Sequence, residues 1–307
     1  MVGKITSLAL ITLAISACGA ALQDMPMTRD RCEAQAGFVF VPAGEFIAGS
    51  DRPERDYGYA ISAAAVADTP DAIAEAEQRL RDRRWFEFEG DHRREFSEAF
   101  CLQANLVTQQ DYAEFVAATG HRIPGITAAE YQEQGFLVHP YEDVVPYLWQ
   151  DDAFPSELGD HPVVLVAYDD AVAYAEWRGE QDGVSYRLPT ADEWEKAARS
   201  EDGRYFPWGS EWQDEATHWA ESVPYGTQAI AQYPLSQSPY GAEDMAGNVF
   251  EYTSTLRSRQ DDQVAVMKGC SWDDLPGFCR AAYEHTRPVD SRHILFGFRL
   301  VMVATDS

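Results

Sequence analysis

AGNVFEY (Ala246 to Tyr252), MKGCSW (Met267 to Trp272) and FGFRLV (Phe296 to Val301) follow one another near the C-terminus, and their reading decides the fold. In the first, Asn248 and Glu251 stand three apart and offer an amide oxygen and a carboxylate, with the Val249 carbonyl between them. Hard oxygen donors of this kind suit Ca²⁺. The same residues also suit a turn in which the asparagine satisfies backbone donors and the glutamate pairs with an arginine. In the last stretch Arg299 reads as structural, buried against the core. Two earlier stretches join the series: VPAGEF (Val41 to Phe46) and YRLPTADEWEKAAR (Tyr186 to Arg199). Pro189 stops the segment before it, Thr190 caps, and Glu193 completes a capping box, which predicts a helix over Ala191 to Arg199. Trp194, Ala197 and Ala198 fall on one face of it, a structural pattern that leaves Glu193 and Glu195 no catalytic part.

Together these five stretches, in this order, resemble the sulfatase-modifying-factor family, whose founding member is the formylglycine-generating enzyme. The resemblance implies an α+β, C-type-lectin-like fold of short strands and helices with much irregular structure. It spans one domain, 37–304, with an insertion at about 51–95 after the Gly49-Ser50 turn. The residues themselves agree. FVFVPAG and GEFIAG are strand-like, Gln109 to Thr119 and Asp169 to Arg178 have helical spacing, and a helical stretch runs from Asp71 to Arg84 inside the insertion. Eight Trp, 15 Tyr and 15 Phe supply the aromatic packing that long irregular segments need. The insertion reads as a solvated helical excursion or as a lid that faces a partner.

The N-terminus carries a lysine, Lys4, an apolar run from Leu8 to Ile15 and then small residues, which is the pattern of a secretory signal. Ile15-Ser16-Ala17-Cys18 resembles a bacterial lipobox. It implies a lipoprotein signal peptide over 1–17, lipidation at Cys18 and a tether over 18–36. The expected address is the bacterial cell envelope, facing the periplasm, with the outer membrane favoured. Cys32, Cys101, Cys270 and Cys279 remain, and an oxidising compartment lets them form two disulfides in any of three connectivities. The chain holds 51 acidic against 24 basic residues, a formal net charge of −27. That charge excludes nucleic acid and anionic membrane surfaces as partners, and leaves a lipid anchor as the route to a membrane.

In the family, the AGNVFEY stretch supplies a structural calcium site, which here is Asn248, Val249 and Glu251. The founding enzyme oxidises a substrate cysteine with O₂ and a Cu(I) ion held by two cysteines, because soft thiolates select Cu(I). Those cysteines follow the serine of a GGS motif by three and by eight residues. Counted from Ser271, the positions are Asp274 and Cys279, so half the copper pair is present. Matching CRAAYEHTRP to the family's basic segment instead moves Cys279 off that position. Cys270 can face Cys279 across the loop, as a copper partner or as a disulfide partner. Ser271, Trp272, Asp273, Asp274, Arg280, His285, Arg287 and His293 fall in the region that lines the family's substrate cleft, and Cys279, Ser271, Trp272 and Arg287 are the catalytic candidates. His92, His121, His161 and His218 are scattered without ligand spacing, and neither a phosphate loop nor an HExxH motif occurs.

Two functions follow. One is an exported oxidoreductase of this family, acting on a protein or small-molecule substrate in the cell envelope with calcium and copper as cofactors. The other is a non-catalytic, calcium-stabilised binding module that recognises a protein or glycan.

Overall fold

The computed structural model describes residues 26–135, 138–259 and 262–304, so the signal segment and Cys18 lie outside the described residues. Helix α1 (Arg29–Glu33) leads into β1 (Phe38–Val41) and β2 (Gly44–Ala48), then α2 (Arg52–Ala65) and α3 (Pro70–Asp82), then β3 (Arg93–Ser97) and β4 (Phe100–Gln103). Helices α4 (Gln109–Thr119), α5 (Ala128–Glu133), α6 (Tyr141–Val144) and α7 (Tyr168–Asp182) follow, with β5 (Ser185–Arg187) and α8 (Ala191–Arg199) behind them. The last part carries β6 (Phe250–Arg259), β7 (Asp262–Lys268), β8 (His285–Pro288), β9 (Phe296–Gly297) and β10 (Val301–Val303).

These strands make three small sheets, ordered β1-β4-β10-β5, β2-β3 and β8-β7-β6-β9. The C-terminal strand β10 lies between β4 and β5, pairing Val301 with Leu102 and with Arg187. The first and last strands of the described residues thus share one sheet. Helix α8 is capped as its sequence predicts: Thr190 accepts from the Glu193 amide, and Glu193 accepts from the Thr190 amide. Its Trp194 is fully buried between the sheets.

The expected tether needs correction at its inner end. Met27 and Cys32 are buried, and Cys32 is bonded to Cys101 on β4, so the chain is part of the fold well before residue 37. The second disulfide joins Cys270 to Cys279. Of the connectivities open to the four cysteines, each bond therefore closes a separate loop, of 69 and 9 residues.

The insertion is not a solvated excursion. It holds two helices, of which only the second was expected, and α2 docks its Tyr59, Ser62 and Ala63 into the core. The Ser62 hydroxyl accepts from the Gly277 amide at 2.8 Å, and a Cβ at Gly277 would collide with the Gly58 carbonyl and that hydroxyl. Only glycine allows the two backbones to approach this closely. Around this contact lies a buried charge cluster. Arg199 reaches Glu54 at 3.0 Å and Glu195 at 2.9 Å, Lys268 reaches Glu195 at 3.0 Å, and Arg280 reaches Glu89. Three acids face three bases, so each buried charge keeps a partner, the condition under which such a cluster is tolerated.

Candidate functional site

The site is built on two pieces of chain that the fold forces together. One is the loop from Cys270 to Tyr283 and the following β8. The other is the end of the insertion, residues 83–89. Phe86 is fully buried against Tyr59, Phe278 and Tyr283, its amide donates to the Tyr59 hydroxyl at 3.1 Å, and Glu89 is held by Arg280. With Phe86 and Glu89 turned inward, the neighbouring Trp85 and Phe88 turn outward, 39% and 74% exposed.

Between these pieces runs a cleft with two lobes. The inner lobe, of about 250 Å³, is walled chiefly by Leu80, Phe250, Leu275, Phe278, Leu295 and Phe296. The outer lobe, of about 550 Å³, is bounded by Arg257, Arg259 and Glu284 on the β6-β7-β8 face and by Phe88 across it. Arg83, Trp85, Tyr283, His285 and Arg287 line both, so the lobes are continuous. The inner lobe, mostly apolar with a few polar groups, has the character of a small-molecule site, and the outer lobe adds a lining rich in charged and polar side chains.

The expected site residues divide around this cleft. Arg287, His285 and His293 line it. Burial drives the Arg287 guanidinium below its usual range, with nearby Arg259 pushing the same way. Burial also lowers His293, to about 3, and takes His285 well below the ordinary histidine value, so both imidazoles are neutral near pH 7. The His285 ring stacks on Phe250 at 4.4 Å, an apolar role for a titratable side chain. Asp274 lines the inner lobe, and burial raises its carboxyl to about 6. It turns back to accept from the Ser271 amide at 2.9 Å and from the Ser271 hydroxyl. Ser271 therefore caps a turn, and its hydroxyl is held by that carboxylate. Trp272 faces away from both lobes and packs on His139 and Tyr225, with ring centroids 5.0 and 4.4 Å off. Asp273 lies 3.2 Å from His139 and accepts from Tyr225 at 3.2 Å. Arg280 is withdrawn into the charge cluster.

Cys279 is fully buried in its bond to Cys270, and neither sulfur lines either lobe. The Gly247 amide donates to Cys270 Sγ at 3.0 Å, which fixes the pair on the core side of the loop. A Cu(I) site for oxidising a substrate thiol needs thiolates that O₂ and substrate can reach. This buried pair does not fit that requirement, and Asp274, at the other expected position, is a hard carboxylate engaged by Ser271.

The calcium donors are engaged as well. Both Glu251 oxygens accept from Arg299, at 2.6 and 2.8 Å, and both residues are buried. The Asn248 amide pairs in both directions with the Gln228 backbone at 3.1 Å. A divalent cation at Glu251 would face the Arg299 guanidinium at contact distance in a buried setting, so this donor set does not fit Ca²⁺.

Residues 23–304 match the family described as the sulfatase-modifying factor enzyme 1-like domain. The chain belongs to that family. The mouse "inactive C-alpha-formylglycine-generating enzyme 2" is 31% identical over 265 residues, covering 77% of this chain and 74% of its own. The formylglycine-generating enzyme of Mycobacterium tuberculosis is 31% identical over 268 residues, covering 66% and 87%. The hercynine oxygenase of Mycolicibacterium smegmatis is 29% identical, covering 63% and 50%. Among solved structures, PvdO from Pseudomonas aeruginosa superposes with a TM-score of 0.60 at 19% identity, covering 87% of this chain and 94% of its own. That likeness shows the fold of the family, as expected from the five sequence stretches. The names of the relatives span an inactive protein and two enzymes of different chemistry, so membership alone does not fix an activity here.

The sequence reading missed Arg83, Trp85, Phe88, Arg257 and Arg259, which shape much of the outer lobe. The available signal was WFEFE (Trp85 to Glu89), where aromatic and acidic side chains alternate in a segment otherwise rich in charge and alanine.

Proposed function

We propose that this chain is an exported, lipid-anchored binding member of the sulfatase-modifying factor family. Its cleft between the insertion and β8 takes up a partner or small molecule in the cell envelope without copper oxidation. The carrying observation is the continuous two-lobed cleft, lined by Arg287, Tyr283 and Trp85, from which the Cys270 and Cys279 sulfurs are withdrawn. Export is supported by the signal pattern ending at Cys18, and by two disulfides, which persist in oxidising compartments. The oxidoreductase reading rests on the formylglycine-generating relatives and needs a reachable thiolate pair.

The test pairs two measurements on the purified envelope protein. Oxygen uptake with a cysteine-containing peptide after Cu(I) loading should stay at background. Hydrogen exchange should show residues 83–88 and 283–287 protected by a fraction of envelope extract. Copper-dependent uptake that disappears in Cys279→Ser would overturn the binding reading and restore the oxidase.

A further inference from the structure

The distribution of charge around the cleft is the reverse of that over the molecule. The chain carries −27 formal charges, and its described lysines, Lys196 and Lys268, are both buried. Exposed positive charge among the described residues is therefore arginine, and exposed Arg83, Arg257 and Arg259 converge on the outer lobe together with half-buried Arg287. Among the described residues lining that lobe, Glu284 is the one carboxylate, and Arg257 holds it at 2.7 Å. The lobe keeps a net positive charge inside an acidic protein. A low-dielectric cleft lined by one sign of charge focuses its field on ligands of the opposite sign.

The inner lobe differs. Its walls are leucine and aromatic side chains, and its two carboxylates are turned to protein partners, Asp274 to Ser271 and Asp273 to His139 and Tyr225. Neutral His285 stacks there on Phe250, and neutral His293 stacks on Tyr131 with its Nε2 held at 2.9 Å by the Tyr131 hydroxyl. A ligand that fills both lobes therefore meets an apolar chamber at one end and a planar, bidentate cation array at the other. Guanidinium groups suit carboxylate, sulfate and phosphate oxygens, which they contact in pairs.

We infer that the cleft selects anionic amphipathic small molecules, with the apolar body in the inner lobe and a carboxylate, sulfate or phosphate head among Arg83, Arg257, Arg259 and Arg287. The assignment rests on the proposed binding role of the cleft and deepens it by naming the ligand class. Trp85 and Phe88 form the lip over which the body of the ligand passes, and Phe86 and Glu89 hold that lip in place.

Two probes with the same aromatic body separate charge from apolar fit: 1-anilinonaphthalene-8-sulfonate, and N-phenyl-1-naphthylamine, which lacks the sulfonate. Fluorescence titration of the intact protein should give tighter binding of the sulfonate. Arg83→Gln and Arg259→Gln, both at exposed positions that leave the core untouched, should together weaken the sulfonate about tenfold, roughly 1.4 kcal/mol, and leave the neutral probe unchanged. Trp85→Ala should weaken both probes. Equal affinity for the two probes, unaltered by the arginine substitutions, would overturn the anion selection while the cleft still binds. Failure of both probes to bind, or binding of both unaffected by Trp85→Ala, would overturn the cleft as a binding site together with the selection built on it.

Discussion

Arg299 holds both carboxylate oxygens of Glu251, and the two side chains are buried together where the chain's GNVFE and GFR stretches cross. This pair takes the carboxylate that a calcium ion would need. Glu251→Ala should cost about 3 to 5 kcal/mol, because it leaves Arg299 buried without its counter-charge. Urea unfolding with and without EDTA checks the point: the wild-type midpoint should not move with chelator. A drop on chelation, matched by recovery with Ca²⁺, would show that calcium binds here after all.

The two disulfides should contribute unequally. In the chain-entropy picture a 69-residue loop gives about 4.5 kcal/mol and a 9-residue loop about 2.5. The Cys32→Ser/Cys101→Ser double variant should therefore be less stable than Cys270→Ser/Cys279→Ser. Non-reducing peptide mapping should first recover the two expected pairs, and denaturant titration then ranks the variants.

Asp274 gives the stability a pH signature. Its folded-state value of about 6 lies above the ordinary carboxyl value of 3.8, so the folded protein holds this proton more tightly than the unfolded chain. The contribution is fully present below pH 3.8 and is lost as the pH rises through 6. Asp274→Asn removes the titration while keeping an acceptor for Ser271. The stability difference between wild type and variant should shift against the wild type by about 2 to 3 kcal/mol between pH 4 and pH 7. A difference independent of pH would contradict the raised value.

Trp85 and Phe86 are adjacent but should respond to different degrees. Phe86→Ala opens a cavity among Tyr59, Phe278 and Tyr283 and should cost about 3 to 5 kcal/mol. Trp85→Ala gives up only an edge contact with Phe278 at a position open to solvent and should cost about 1 kcal/mol. Paired unfolding curves distinguish the two.

The proposed processing before Cys18 predicts that Cys18→Ala releases the protein into the soluble envelope fraction. Fractionation read by immunoblot checks it, and retention of the variant with membranes would remove the lipid anchor.

The fold was legible because its signals are local. The Thr190 to Glu193 capping box and the spacing over Gln109 to Thr119 each write an element within a dozen residues, and α8 and α4 have the bounds those signals predict. The cleft was only partly legible. Which carboxylate meets which guanidinium depends on contacts such as Glu89 with Arg280, separated by 191 residues, which no local pattern reports. The insertion misled for the same reason. Helix α2 is polar enough to look solvated, yet Glu54 is buried because Arg199 arrives from α8. Arg287 lines this cleft and Trp272 does not, because adjacent residues on this irregular loop turn to opposite sides.

Along Trp85 to Glu89 the duties of holding and touching are divided, Phe86 and Glu89 holding while Trp85 and Phe88 face the cleft. Substitutions at positions 85 and 88 change what the mouth of the cleft presents without disturbing Phe86 or Glu89. The lip can therefore drift in sequence from one ligand preference to another at little risk to folding, while the buried residues beside it stay under strict constraint. Such a segment gives a fixed scaffold an interchangeable face.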